Sequence, residues 1–491
     1  MVPFDITTCL VFFLTFLVCW YLNRRPKNLP PGPTPWPVVG NLPMLAKNPT
    51  DFHVVMAELH KQYGDMVTLW FGPFPHVIIN SYEKIQEVLI QRSDIFSDRP
   101  LWMFLVKKYA PNIGLALSQG QRWQAVRRMT LRAIRDLGVG KRTIEEKIQE
   151  EAEFICQEVA KHTGKPFSCG DLFQRAVNNI ICSVCFGQRF EYGDKTLQEI
   201  IDKMTKSFSD NAFLNPVNFY PVLRFVPFDP FRLKQLDENV QSLNDFISKM
   251  VDKHRESFDP QQIRHFVDLC ILKEQEGHGE DHIFSRMGMN KTLLDLFSAG
   301  TETTATSLRW LVLYMLHHPD IQDKCQAEVD RVVGPSRVAT LADRTSMPYV
   351  DATIHEILRH SNIAPAALPH NAKNDSTIGG YHIPKNTVIL AHLAAVHMDE
   401  RYWEEPKLFK PERWIGPDGN LMRKEAYMPF SVGPRVCPGE SLARNELFIF
   451  FSTLLQRFTF KPVDPENLPS KDGIMGLTLS PKEFEIIPET R

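Results

Sequence analysis

One cysteine in this chain has neighbours suited to metal chemistry. Cys437 lies in the run Phe430-Ser431-Val432-Gly433-Pro434-Arg435-Val436-Cys437-Pro438-Gly439, which has the spacing F-x-x-G-x-R-x-C-x-G. An apolar-periodic stretch, 442–458, follows and reads as a helix, so Pro438 and Glu440 fall in its first turn. A thiol at a helix N-terminus is expected to ionise easily, because the dipole and the free amides favour thiolate. A thiolate axial to haem iron pushes electron density onto the metal and promotes O–O cleavage. Gly433 and Gly439 permit a tight turn and the close approach of a flat macrocycle. Arg435 supplies a cation for a carboxylate such as a haem propionate. The competing reading is a buried structural thiol, the usual fate of a free cysteine. That reading is adopted for Cys9, Cys19, Cys156, Cys169, Cys270 and Cys325. Cys182 and Cys185 form a C-x-x-C within an apolar helical run, where core packing is expected.

Further polar groups punctuate helical stretches. Ala299-Gly300-Thr301-Glu302-Thr303-Thr304 interrupts the apolar pattern of 290–316. A glycine there costs about 1 kcal/mol relative to alanine, and a bare position lets a helix pass close over a flat ligand. Threonine hydroxyls bonding back to the preceding turn would open a small polar groove for dioxygen and water. Taken alone, such a patch is more often packing. Glu356 and Arg359 form an E-x-x-R pair, but so do Glu328 and Arg331, and at this spacing either is worth little on a surface. Trp123 and Arg127 are four apart and share one helix face. Arg128, Arg132 and Arg135 share another, rotated by about 120°.

The scaffold that must position these groups is long, at 491 residues, and its net charge of −2 gives no sign of a nucleic-acid partner. Nine scattered cysteines argue against a disulfide framework and for a reducing compartment. Residues 6–22 are an unbroken apolar run near the short limit of a membrane span. Trp20 and Tyr21 end it, and Arg24, Arg25 and Lys27 follow with no basic residue before it, which places the rest of the chain in the cytosol. A cleaved signal peptide is the rival reading, but its apolar part is usually shorter and ends at a small-residue site. Prolines at 26, 30, 31, 33, 35 and 37 make a stiff connector. The expected organisation is a membrane anchor at 1–23, a proline-rich hinge at 24–41 and one catalytic domain at 42–491. Within that domain the pattern predicts helices over 143–162, 171–186, 234–254, 289–317 and 440–457. Strands are expected over 65–71, 76–79 and 387–390. Residues 273–282 read as an exposed loop, whose His278, Glu280, Asp281 and His282 only imitate a metal site.

With the Cys437 motif, the 299–304 patch and the order of the E-x-x-R pair before Phe409-Lys410-Pro411-Glu412-Arg413-Trp414, the chain resembles the cytochromes P-450. The likeness runs from anchor to C-terminus and is strongest to the animal microsomal family 2 branch. It implies a mainly α fold with a smaller β region, preceded by one N-terminal transmembrane helix, and haem b as cofactor with Cys437 as metal ligand. Arg99, Trp123, Arg127, His370, Phe430, Arg435 and Gly439 would complete the haem contacts. Thr303 and Glu302 match the family's alcohol–acid pair, which relays protons to dioxygen. Glu356, Arg359 and Arg413 would form a structural network behind the haem, with Trp414 where many members have Phe. By the same resemblance Ala116, Leu117, Phe297, Ala299, Ala364, Ala367, Leu368 and Leu477 would line an apolar substrate pocket.

The implied activity is insertion of one oxygen atom of O2 into a hydrophobic molecule, such as a fatty acid, a steroid or a xenobiotic. Electrons would come from NADPH through NADPH-cytochrome P-450 reductase, with cytochrome b5 as an optional donor, at the endoplasmic reticulum membrane and in contact with its lipid. Arg128, Arg132 and Arg135 read either as a docking stripe for an acidic electron donor or as a solvated face. The alternatives are a haem-thiolate isomerase or dehydratase acting on a peroxide, and a haem-based sensor. Retention of Glu302 and Thr303 argues against the first.

Overall fold

Apolar residues at helical spacing dominate from about residue 120 onward, and the chain answers with helices. The computed structural model describes residues 10–15, 26, 28–47, 51–137, 142–210, 212–277 and 283–491. Its longer helices are α1 (Phe52–Tyr63), α2 (Gly120–Asp136), α3 (Arg142–Ala160), α4 (Gly170–Phe186), α5 (Lys195–Ser209) and α6 (Leu233–Arg255). They continue with α7 (Phe266–Glu276), α8 (Arg286–His317), α9 (Pro319–Val332), α10 (Pro348–His360) and α11 (Glu440–Arg457). The predicted helices thus appear as α3, α4, α6, α8 and α11.

The central element is α8. It starts at Ser285, whose hydroxyl accepts a hydrogen bond from the Gly288 N–H at 3.3 Å. From Thr304 to Leu316 every residue is buried. Such all-round burial needs partners on every side, and α4, α6, α7, α10 and α11 all pack on it. Gly300 is explained by this packing. A Cβ there would lie 3.1 Å from the Ile181 side chain of α4. The bare position therefore admits a neighbouring helix. The Thr301 and Thr303 hydroxyls donate back to the carbonyls of Phe297 and Ala299, each at 2.8 Å. The helix nevertheless stays regular through this segment.

The β region is small. Strands β1 (Met66–Phe71) and β2 (Phe74–Ile79) form an antiparallel pair, and β2 lies parallel to β4 (Val388–Ala391), which pairs with β3 (His370–Asn371). Near the C-terminus β5 (Phe458–Pro462) and β6 (Ile486–Thr490) pair antiparallel. One apolar core fills the helical part. A second, with Val77, Ile79, Ile389, Trp403 and Trp414, lies against the sheet.

Three expectations need restating. The proline-rich segment is docked where it meets the domain: the Thr68 N–H donates to Pro31 O at 2.8 Å, and the Trp70 N–H donates to Asn41 Oδ1 at 2.8 Å. Lys273 to Glu276 are helical, as the end of α7, while His278, Glu280, Asp281 and His282 lie outside the described residues. The apolar run 6–22 also lies outside them, apart from 10–15, which are helical. Among the described residues no helix is long and apolar enough to cross a membrane.

Candidate active site

Cys437 ends a tight turn that leads into α11. Its N–H donates to Phe430 O at 3.0 Å, and the turn passes through Gly433 at φ +79°. A side chain at Gly433 would strike Leu89 O at 2.0 Å, so only glycine fits. At Gly439 a Cβ would meet nothing nearer than Cys437 Sγ, at 3.9 Å. Its bareness keeps space open beside the thiol. The expected easy ionisation of Cys437 is corrected in the free thiol. The thiol is exposed to the cavity, yet the surrounding protein withdraws it from bulk water and, with the Glu440 carboxylate, pushes its pKa up, while the Gly439 and Glu440 amides and Arg127 pull the other way. The amides are aimed as expected, but enclosure outweighs them until a metal shares the sulfur's charge.

Sγ opens onto a cavity of about 590 Å³. Above the turn stand three guanidinium groups. Arg435 lies 3.8 Å over the Trp123 ring; its Nε donates to Ser97 O at 2.9 Å and its Nη2 to Ser118 O at 2.7 Å. Its Nη1 is buried and has no partner among the described residues. Arg127 Nη2 donates to Val436 O at 2.6 Å. Arg99 donates to the carbonyls of Ala116, Leu368 and Pro369 at 2.8–3.0 Å. None of the three has a carboxylate within ion-pair distance among the described residues.

Burial and mutual repulsion hold Arg435 down to about 8 and Arg99 down to about 10, with Asp98 partly offsetting the former. His370 is buried, its Nδ1–H donates to Phe96 O at 2.8 Å, and burial together with Arg99 holds its pKa far below normal. An uncompensated cationic wall with an orphaned N–H calls for an anionic ligand. The two propionates of haem meet that need, and the thiol meets the iron. The residues present therefore fit haem, and Cys437, Arg99, Trp123, Arg127, His370, Phe430, Arg435 and Gly439 all line the same cavity.

The same cavity takes in Ala116, Leu117, Ala299, Ala364, Ala367, Leu368 and Leu477, as the sequence led one to expect. Phe297 is a correction. It is fully buried on the side of α8 facing α6, with its ring 5.5 Å from Phe246, and Leu296 and Ser298 take the cavity positions instead.

Glu302 is a second correction. Consecutive helix residues diverge by about 100°, so Thr303 faces the cavity while Glu302 does not. The Glu302 carboxylate is buried and accepts hydrogen bonds from Gln174, Thr205 and Thr306 at 3.2–3.3 Å. Asp295, paired with Lys291 at 2.7 Å, lines the cavity, and so does Glu446 on α11, which the sequence reading missed. Glu446 is fully enclosed, the Thr304 hydroxyl hydrogen-bonds its carboxyl, and burial pushes its pKa up to about 8. A lone carboxyl among the apolar residues of 442–458 was the available signal.

Behind the cavity, Glu356 is fully buried and collects five donors. They are Arg359 Nε and Nη2 at 2.9 and 2.7 Å, Arg413 Nε at 3.0 Å, Trp414 Nε1 at 2.9 Å and the Lys410 N–H at 3.0 Å. Trp414 thus adds an N–H that Phe would lack. Glu328 and Arg331 are 3.5 Å apart with the arginine largely exposed, and Glu328 accepts from the Val350 N–H at 2.8 Å, so that pair is no buried hub of arginines. On α2, Trp123 is buried and Arg127 half-buried, whereas Arg128, Arg132 and Arg135 are exposed, so the two basic faces are separate as their spacing required.

Comparison with known proteins accords with this geometry. The cytochrome P450 family model matches residues 30–488. Among similar proteins, mouse (Mus musculus) cytochrome P450 2B19 is 39% identical over 476 residues, covering 96% of each chain. Human (Homo sapiens) cytochrome P450 2J2 is 41% identical over 468 residues, covering 94% of this chain and 91% of its own. Human cytochrome P450 2U1 is 35% identical over 494 residues, covering 95% and 90%. With a thiol, a cationic cradle and an apolar cavity joined in one chamber, this chain belongs to the cytochrome P450 family of haem b proteins.

Proposed function

We propose that the chain is a monooxygenase of apolar molecules, driven by NADPH through a separate reductase. One observation carries the reading: a single cavity joins the Cys437 thiol, the Arg99–Arg127–Arg435 cradle, the Thr303 hydroxyl and walls rich in alanine and leucine. Bound haem supplies the redox chemistry that activates dioxygen. Cys437 would hold the metal, and Arg99, Arg127 and Arg435 would hold the propionates. The walls bind substrate by shape and exclude water, with Ala116, Ala299, Ala364 and Ala367 leaving room for it.

Turning O2 and a C–H bond into an alcohol and water consumes two electrons and two protons. Among the cavity groups able to hold or pass a proton are the Thr303 hydroxyl and the Thr304–Glu446 pair, with Glu446 largely protonated at neutral pH. Glu302 acts from outside the cavity, as part of the Gln174–Thr205–Thr306 cluster that braces α8. The exposed face of Arg128, Arg132 and Arg135 suits an acidic reductase, or cytochrome b5 as a further donor. In this reading the run 6–22 holds the domain at the endoplasmic reticulum membrane, facing the cytosol.

Product formation from an apolar substrate tests the proposal under three conditions: NADPH with reductase, an organic peroxide alone, and neither. Product with the first that needs O2 is expected. Rearrangement of the peroxide itself, with nothing from NADPH and reductase, would make the chain an isomerase or dehydratase. No conversion under any condition would leave a sensor.

A further inference from the structure

Helix α8 carries seven serine and threonine hydroxyls, and six of them have partners within the fold. Thr292, Thr301, Thr303 and Ser307 each donate to the carbonyl four residues earlier, at 2.8 Å. Thr304 bonds the Glu446 carboxyl, and Thr306 donates to Glu302 at 3.3 Å. The seventh is Ser298, whose hydroxyl has no hydrogen-bond partner among the described residues. Ser298 is half-buried and forms part of the cavity wall, and its oxygen is open rather than sealed by protein.

The surroundings of that hydroxyl limit what could meet it. Lys291, Leu294, Asp295 and Ser298 follow one another at helical spacing and line the same wall. The charges in this stripe already answer each other. Asp295 Oδ1 accepts from Lys291 at 2.7 Å, and Oδ2 accepts from the Leu115 and Ala116 N–H groups at 2.8 and 3.0 Å. What is left for a ligand is one neutral hydroxyl beside Leu294, Leu296 and Ala299. Serine contributes no bond to the fold here, and alanine would make the better helix. A substrate that covers the hydroxyl with hydrocarbon leaves a polar group unmet, which weakens its binding. Five residues separate Ser298 from Thr303, about 7.5 Å along the helix axis, so a group bound there lies away from the carbon that is oxidised.

We propose that Ser298 is a specificity-determining contact, whose hydroxyl donates a hydrogen bond to a ketone or ester carbonyl on an otherwise apolar substrate. The inference rests on the cavity being the substrate site. It narrows the substrate class from apolar molecules in general to those with one uncharged accepting oxygen remote from the reacting carbon. A carboxylate would need a cation, and the cation of this stripe, Lys291, is held by Asp295.

The test uses the haem-loaded protein and pairs of N-alkylimidazoles whose far end is either a methyl ketone or an isopropenyl group of nearly the same shape. Chains of about two to ten carbons scan the depth of the cavity. The imidazole shifts the haem spectrum on binding, so affinity is read without turnover. At the length that brings the ketone to Ser298, Ser298→Ala should lower the ketone-to-alkene affinity ratio about fivefold, the worth of a hydrogen bond of about 1 kcal/mol. At other lengths the ratio should stay the same, and alkene binding should hold throughout. Haem content and thermal stability should also hold, since the hydroxyl bonds nothing in the fold. A ratio that Ser298→Ala leaves unchanged at every length would overturn the proposal. An equal fall at every length would overturn it too, because altered packing and not one contact would be its cause. A fall in Thr303→Val without one in Ser298→Ala would assign the contact to the other hydroxyl. If no imidazole of any length moves the spectrum, the cavity is not joined to the haem site, and the reading beneath the proposal fails first.

Discussion

Replacing Glu356 with glutamine keeps the shape of the side chain and deletes its charge. In the folded chain this carboxylate is fully buried, and three of its five donors come from two guanidinium groups. Neither Arg359 nor Arg413 has another carboxylate in ion-pair reach among the described residues. Their remaining bonds run to main-chain carbonyls, those of His397, Pro406 and Leu408 for Arg359 and those of Glu404, Glu405 and Leu408 for Arg413. A glutamine amide would accept on one oxygen only and would turn an NH2 towards arginine or indole N–H groups. Removing one partner of a buried pair costs about 3–5 kcal/mol, because the other charge stays buried and unmet. Folded domains have margins of about 5–15 kcal/mol, so between about a fifth and all of the stability is at stake. Urea unfolding followed by far-UV circular dichroism, with haem retention on a desalting column, measures it. The expected outcome is a loss of about 3–5 kcal/mol and poor haem retention. A loss below about 1 kcal/mol with full haem retention would refute the assignment of Glu356 as the hub.

Thr303→Val deletes the cavity hydroxyl and keeps β-branching, so fold and haem content should survive while product formed per NADPH falls by about tenfold or more and hydrogen peroxide rises. Glu302→Gln should leave that ratio nearly unchanged and show itself instead in thermal stability, because its carboxylate faces Gln174, Thr205 and Thr306. Glu446 has its folded pKa raised from 4.5 to about 8, so its contribution to stability is complete below pH about 4.5 and is lost as pH rises through about 8. Urea titrations across that window should show the decline in the unaltered protein and a flatter profile in Glu446→Gln.

What could be read from the letters depended on how local the cause was. The Cys437 turn was legible because each residue answers a local demand, and Gly433 at positive φ against Leu89 O is the plainest instance. The separation of Trp123 and Arg127 from Arg128, Arg132 and Arg135 followed from helical geometry alone. By contrast, Glu356 and Arg359 were indistinguishable from Glu328 and Arg331 until the later segment with Arg413 was placed beside them, since burial decides between a hub and a surface pair. Glu302 lies off the cavity face that Thr303 occupies because adjacency in sequence is not adjacency on a helix face. Phe297 lies off it for the same reason, one position away from the cavity residue Leu296. Gly300 was rightly singled out as needing an explanation, but the element that crowds it is α4, and sequence spacing does not reveal that contact. Glu446 looks like a stray polar residue in an apolar run, and only the cavity gives it a context.

The central claim is that Cys437 is the ligand that makes this chain a haem-thiolate protein. Cys437→Ser puts a hydroxyl, which stays protonated, in place of the thiolate and disturbs little else. The measurement is the absorption spectrum of the reduced, carbon monoxide-treated protein, unaltered and mutant, at equal protein concentration. The unaltered protein should show the band characteristic of thiolate ligation and Cys437→Ser should lack it, together with all oxygenase activity. The same band in the mutant would contradict the account, since the buried cysteines at 156, 169, 182, 185, 270 and 325 do not open onto the cavity.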